Sequence, residues 1–158
     1  MAREIDKPTA TIYKQELKDL YDPIEFDNST LGDLGIVVLY ARSLSHKPVT
    51  MIHIFQTKLE SIYLESKLNE RIHNITTRIM TRVVDGPNEE GREEQAQQDL
   101  DYLEEQVVIV LENNLSSVNW LNGYLDNNNI IAVDRAFSRN YYIKDIPLRI
   151  RRRVTVDN

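Results

Sequence analysis

Between Ile72 and Val84 runs an alternating Ile/Thr segment in which Ile75, Thr77, Ile79, Thr81 and Val83 share one face. β-branched side chains at a period of two mark a strand with one apolar face. The segment Asp85-Gly86-Pro87 stops that strand, Asn88 is placed to cap, and Glu89 to Leu111 then carries Leu100, Leu103, Val107, Val110 and Leu111 at helical spacing. A half-apolar strand followed by an amphipathic helix predicts a helix packed on a sheet, which buries both apolar surfaces at once. From Val49 onward the order is two strands, one long acidic helix and a strand-rich tail. Met51 to Phe55 is apolar and extended in character, and Ile130 to Val133, Tyr141 to Ile143 and Leu148 to Val156 supply the later strands.

A chain of 158 residues suffices for one ordinary domain, so residues 1–158 read as a single unit. With 41% hydrophobic and 28% charged residues it has a globular composition. No run of about 18 apolar residues exists to cross a bilayer, so no membrane partner is expected. The start, Met1 to Pro8, lacks the apolar centre of a secretory signal and is too acidic for a transit peptide. There is no cysteine, which excludes disulfides, thiolate catalysis and thiolate metal sites. The net charge of -6 argues against a protein whose main task is gripping phosphates.

Further elements are readable on either side. Thr9 or Thr11 can cap a short helix over Ile12 to Tyr21, ended by Asp22-Pro23. Ile36 to Ala41 reads as a strand from its β-branched content and the glycines Gly32 and Gly35 before it. Gln56 to Arg71 reads as a long hairpin arm with its tip around Glu65 to Asn69. Asn113 to Asn129, with Trp120, Leu121, Tyr124 and Leu125, suggests a short second helix before an Asn127-Asn128-Asn129 turn. The expected class is α+β: one domain with a mixed, mainly antiparallel sheet, two or three covering helices and a β-hairpin arm.

Candidate chemistry is sparse. His46, His53 and His73 form no pair at ligand spacing, so no metal is expected. Gly32, Gly35, Gly86, Gly91 and Gly123 fit neither phosphate-loop pattern, and no serine sits in a nucleophile-elbow context, so neither cofactor nor catalytic residue is assigned. The acids Glu93, Glu94, Asp101 and Glu105 lie on the long helix, whose first turns favour negative charge. In the last strand Leu148, Ile150, Arg152, Val154 and Val156 share one face, and Pro147, Arg149, Arg151, Arg153 and Thr155 the other. Arg152 therefore interrupts an apolar face and should sit near an edge or a partner. The pairing expected from this asymmetry sets Arg149, Arg151, Arg152 and Arg153 of one subunit against the acidic helix of another. Tyr63, Glu65, Lys67 and Asn69 of the arm are candidates for docking a partner.

The layout resembles the tail-terminator family of long-tailed bacteriophages, also called the minor tail protein U family. The matching parts are Val49 to Phe55, Glu60 to Leu64, the arm at Lys67 to Arg71, Asn74-Ile75-Thr76-Thr77-Arg78-Ile79 running to Val84, the helix Glu89 to Glu112, and Ile146 to Val156. Together they span roughly Val49 to Asn158. The resemblance implies a virion protein, made in the host cytoplasm and located at the tail-neck junction. Its copies would form a hexameric ring that caps the tail tube, ends its elongation and meets the head-tail connector proteins. Six copies of a chain at -6 would give an acidic lumen through which DNA slides without specific binding. A cyclic ring has heterologous interfaces, which suits an arginine edge meeting an acidic helix.

Two other readings compete. One is a different head-tail connector or neck component. The other is a small nucleic-acid-binding module using Arg149 to Arg153 with Tyr141 and Tyr142, whose binding would fall steeply with salt. An enzyme would require a pocket gathering His53, His73 and several carboxylates.

Overall fold

The computed structural model describes residues 8–39, 50–65, 67–83, 87–115, 122–125, 131–136 and 141–155. Val49, Ala41, the Asp85-Gly86 part of the strand stop, His46, Trp120, the Asn127 to Asn129 turn and Val156 lie outside those residues.

Helix α1 (Thr9–Tyr21) buries Tyr13, Leu17 and Tyr21, each one turn from the next. Neither threonine caps it. Pro8 is the N-cap, without a side-chain bond, and its carbonyl accepts from the amides of Thr11 and Ile12. Asp22 closes the helix and pairs with Lys18 at 2.8 Å, while Pro23 prevents continuation. A two-residue hairpin follows, β1 (Glu25–Phe26) against β2 (Ser29–Thr30), turned through Asp27 and Asn28. Both turn residues have positive φ, 49° and 68°, as the twist of a tight hairpin demands.

The main sheet has the order β3-β4-β5-β8-β6, with β7 also pairing β8. The strand expected over Ile36 to Ala41 is, among the described residues, only β3 (Val37–Val38), parallel to β4 at Ile52 and His53. Strands β4 (Thr50–Glu65) and β5 (Leu68–Arg82) form one long antiparallel hairpin with register shifts at Gln56/Lys58 and Tyr63/Glu65. The arm is thus the outer half of two unbroken strands. Strand β8 (Tyr141–Thr155) pairs with β5 along its whole length, from Tyr141 opposite Arg82 to Thr155 opposite Leu68. It joins into one strand the two segments expected separately, Tyr141 to Ile143 and Leu148 to the C-terminal side.

On the other edge of β8 lie β6 (Asn122–Leu125), paired with Leu148 to Arg151, and β7 (Ile131–Ala136), paired with the Tyr141 to Asp145 stretch. Pro147, which has no amide hydrogen to donate, falls between these two paired stretches. The short helix expected within Asn113 to Asn129 is corrected here, because Asn122 to Leu125 is strand. A helix of so few residues is costly to nucleate, whereas the edge of β8 offers unpaired backbone groups.

Helix α2 (Glu89–Asn113) starts at Asn88, whose side chain accepts from the Gly91 amide. It lays Ala96, Leu100, Leu103, Val107 and Leu111 on the sheet, where with α1 they enclose Ile52, Ile54, Ile75, Ile79, Ile146 and Ile150. Val110 packs at the margin of this core, half-buried. Two polar contacts fix the stacking. The Tyr21 hydroxyl bonds the Thr77 hydroxyl at 2.7 Å, and Thr81 Oγ1 donates to the Ala96 carbonyl at 2.8 Å. On the opposite face Met51, Met80, Tyr141 and Ile143 form a second, smaller cluster. The fold is the α+β class expected, with two helices among the described residues.

Candidate assembly interface

The helix-covered part of the sheet ends near His73. There the imidazole meets the Tyr13 ring edge-on, with centroids 5.2 Å apart. Beyond that level β4, β5 and β8 continue together as a three-stranded arm. Four large apolar side chains stand exposed on it: Leu59 at 48%, Ile62 at 44%, Tyr63 at 81% and Leu64 at 44%. Leu59 and Tyr63 lie on the helix-side face and Ile62 on the other, and covering such apolar side chains is favourable, which makes the arm the candidate contact surface.

The arm's charges are largely organised within it. Arg149 pairs with Glu60 at 3.1 Å and Arg151 with Glu70 at 2.9 Å, both across strands on the face away from the helices. Lys58 also reaches Glu60 at 3.0 Å. The Lys58 ammonium, then the Asn74 amide and the Arg149 guanidinium, hold the Glu60 carboxyl below its ordinary range. On the helix side Arg152 donates from Nε to His73 Nε2 at 3.2 Å, and His73 Nδ1 meets Gln56 Oε1 at 2.7 Å. Burial, followed by the positive charges of Arg152 and Arg71, pushes the His73 imidazole down to about 4. Arg152 thus interrupts the apolar face because it is the partner of a buried histidine. Arg153 and Lys67 are exposed.

Of the expected docking residues, Tyr63 and Lys67 stand out at the tip, and Glu65 closes the ladder opposite Leu68. Asn69 is corrected: it is buried at 7% exposure, because it lies on the central strand of the arm between Tyr63 and Val154. The tip is tighter than the Glu65 to Asn69 span.

The acids of α2 are only partly free. Asp101 and Glu104 both pair with Lys144, at 2.9 and 2.8 Å, and Glu94 accepts from Gln98. Glu93 is half-buried and Glu105 exposed. The expected direct pairing of all four arginines with these acids is therefore reduced, since Arg149, Arg151, Arg152, Glu94 and Asp101 already have partners in the same chain.

At the end of the molecule away from the arm, sequence reading missed a cavity of about 730 Å³ between the β1-β2 hairpin and α2. Glu25, Asp27, Asp33 and Asp99 line it, with Phe26 and Tyr102 as its aromatic wall. The two rings lie 6.2 Å apart, and the Tyr102 hydroxyl donates to the Glu25 carbonyl at 2.7 Å. The Asp27-Asn28 turn signal was visible in the chain, but its position against Asp99 depends on packing.

His53 and His73 project from opposite faces of the sheet, so no pocket gathers them, and no described group of side chains has the make-up of a metal site. Tyr141 and Tyr142 are buried at the far end of β8 from Arg149 to Arg153, which separates the aromatics from the arginines that a nucleic-acid module would combine. No protein-family model matches this chain, and no curated protein aligns with it significantly.

Proposed function

We propose that this chain is a structural subunit of a bacteriophage tail, acting as a tail terminator. Its copies close into a ring, taken as hexameric from the resemblance, that caps the tail tube, ends elongation and presents a surface to the head-tail connector. The observation that carries this reading is the three-stranded arm, continuous with the core sheet, with Leu59 exposed at its base and Ile62, Tyr63 and Leu64 exposed toward its tip. A projection of that kind costs solubility unless something covers it. A neck component would use the same arm against a different neighbour.

The test is the native mass of the purified protein across concentration and with divalent ions, followed by negative-stain imaging, alone and with tail tube protein. A closed ring with a central hole that binds tube ends supports the terminator. A ring that binds only connector proteins moves the chain to the neck. A monomer under every one of these conditions overturns the reading.

A further inference from the structure

Positions 57–74 and 149–155 carry seven Lys or Arg against three Glu, so the arm is positive by four charges. The cavity beside α2 is lined by four carboxylates and no basic side chain. These opposite charges cannot meet within one chain. Thr81 anchors α2 at Ala96, three residues before the cavity-lining Asp99, while the arm tip is at Leu68, the other end of the same strand. Thirteen residues of strand separate the two, roughly 43 Å at about 3.3 Å per residue.

We infer that the arm tip of one copy seats in the acidic cavity of a second copy, with Tyr63 against Phe26 and Tyr102 and with Lys67 and Arg153 facing Asp27, Asp33 and Asp99. The cavity is ample for one aromatic side chain, and two rings already form its wall. A knob and a socket on opposite ends of the same molecule make a heterologous contact, which closes into a ring or runs on as a filament. Complementary charge orients the two ends, and like charge disfavours arm-to-arm and socket-to-socket encounters. This inference rests on reading the arm as an assembly element, and it names the arm's partner and receiving site.

The absence of cysteine makes the test direct. Leu64→Cys, beside Tyr63 on the arm and leaving the proposed knob intact, and Ser29→Cys, in the cavity lining, are made in separate preparations and mixed under mild oxidation at high protein concentration. The mixture should give a cross-linked dimer that neither variant gives alone, with a yield several-fold lower at about 0.5 M salt, where surface charges are screened. Self-linking of Leu64→Cys at equal or greater yield would mean that arms meet arms and would overturn the inference. Absence of cross-linking in a preparation whose native mass is a multiple of the monomer would also overturn it, while leaving the ring reading intact. Absence of cross-linking with a monomeric mass throughout would remove both.

Discussion

Arg152 donates to His73 through a bond that only a neutral imidazole can accept, because Nε2 is the acceptor and Nδ1 is left to donate to Gln56 Oε1. Protonation would place two donors face to face beside the Tyr13 ring. The base of the arm is therefore built around an uncharged histidine.

A pH dependence follows with a defined sign. The folded value is about 4 and the ordinary value 6.5, so between them the unfolded chain binds a proton that the folded chain does not. The contribution is fully present above pH 6.5 and is lost as pH falls toward 4. The urea midpoint of the parent protein should drop more steeply across that window than that of His73→Gln. Equal slopes would show that His73 titrates normally.

Arg78 and Asp145 make a two-point ion pair across β5 and β8, at 2.8 and 3.0 Å, both side chains less than one-third exposed. Phe55 lies under the guanidinium at 5.1 Å. A paired fork of this kind exceeds an ordinary surface salt bridge, and a double-mutant cycle of Arg78→Ala with Asp145→Ala should return a coupling of about 1–2 kcal/mol. A value near zero would place the pair with exposed bridges.

Removing the Tyr21 hydroxyl strands a buried partner. Thr77 is at 0% exposure, and Tyr21→Phe leaves its hydroxyl without this bond. The expected loss is about 1–2 kcal/mol in chemical denaturation, and adding Thr77→Val should recover part of it by removing both polar groups together. If the double variant is as unstable as the sum of the singles, the bond is not what holds α1 to the sheet.

Shortening the arm separates folding from assembly. The main core begins at the level of His73, with Ile150 opposite it and Ile75 inward of it, so deleting Glu65 to Asn69 should leave a cooperative thermal transition within about 2–4 °C of the parent while abolishing the oligomer. Collapse of the fold would mean that the arm strands are needed to set the sheet register.

Much of this architecture was legible locally. The face shared by Ile75, Thr77 and Ile79 and the stripe from Leu100 to Leu111 report directly on burial, because each periodicity belongs to one element. Strand β8 was harder to read as a unit, since Lys144, Asp145 and Pro147 look like a break. Their compatibility with a strand depends on Asp101, Glu104 and Arg78 arriving from elsewhere. The cavity was illegible for the same reason: Asp27 and Asp99 are seventy-two positions apart and meet only once α2 has docked. Tyr63 is legible from its place in the arm, but nothing local in the sequence marks Leu59, Ile62 and Leu64 as exposed. Their exposure depends on where the helices stop covering the sheet.

The ladder between β5 and β8 also bears on how the chain folds. Its partners lie between 59 and 87 residues apart, from Arg82 with Tyr141 to Leu68 with Thr155, and β8 is the last of the described elements along the chain. The β4-β5 hairpin can zip early, but one flank of β5 then waits, unsatisfied for its full length, until that final strand is supplied. During this interval the same flank can accept β8 from another nascent copy, so high expression should yield strand-exchanged dimers, and slower synthesis or lower temperature should suppress them.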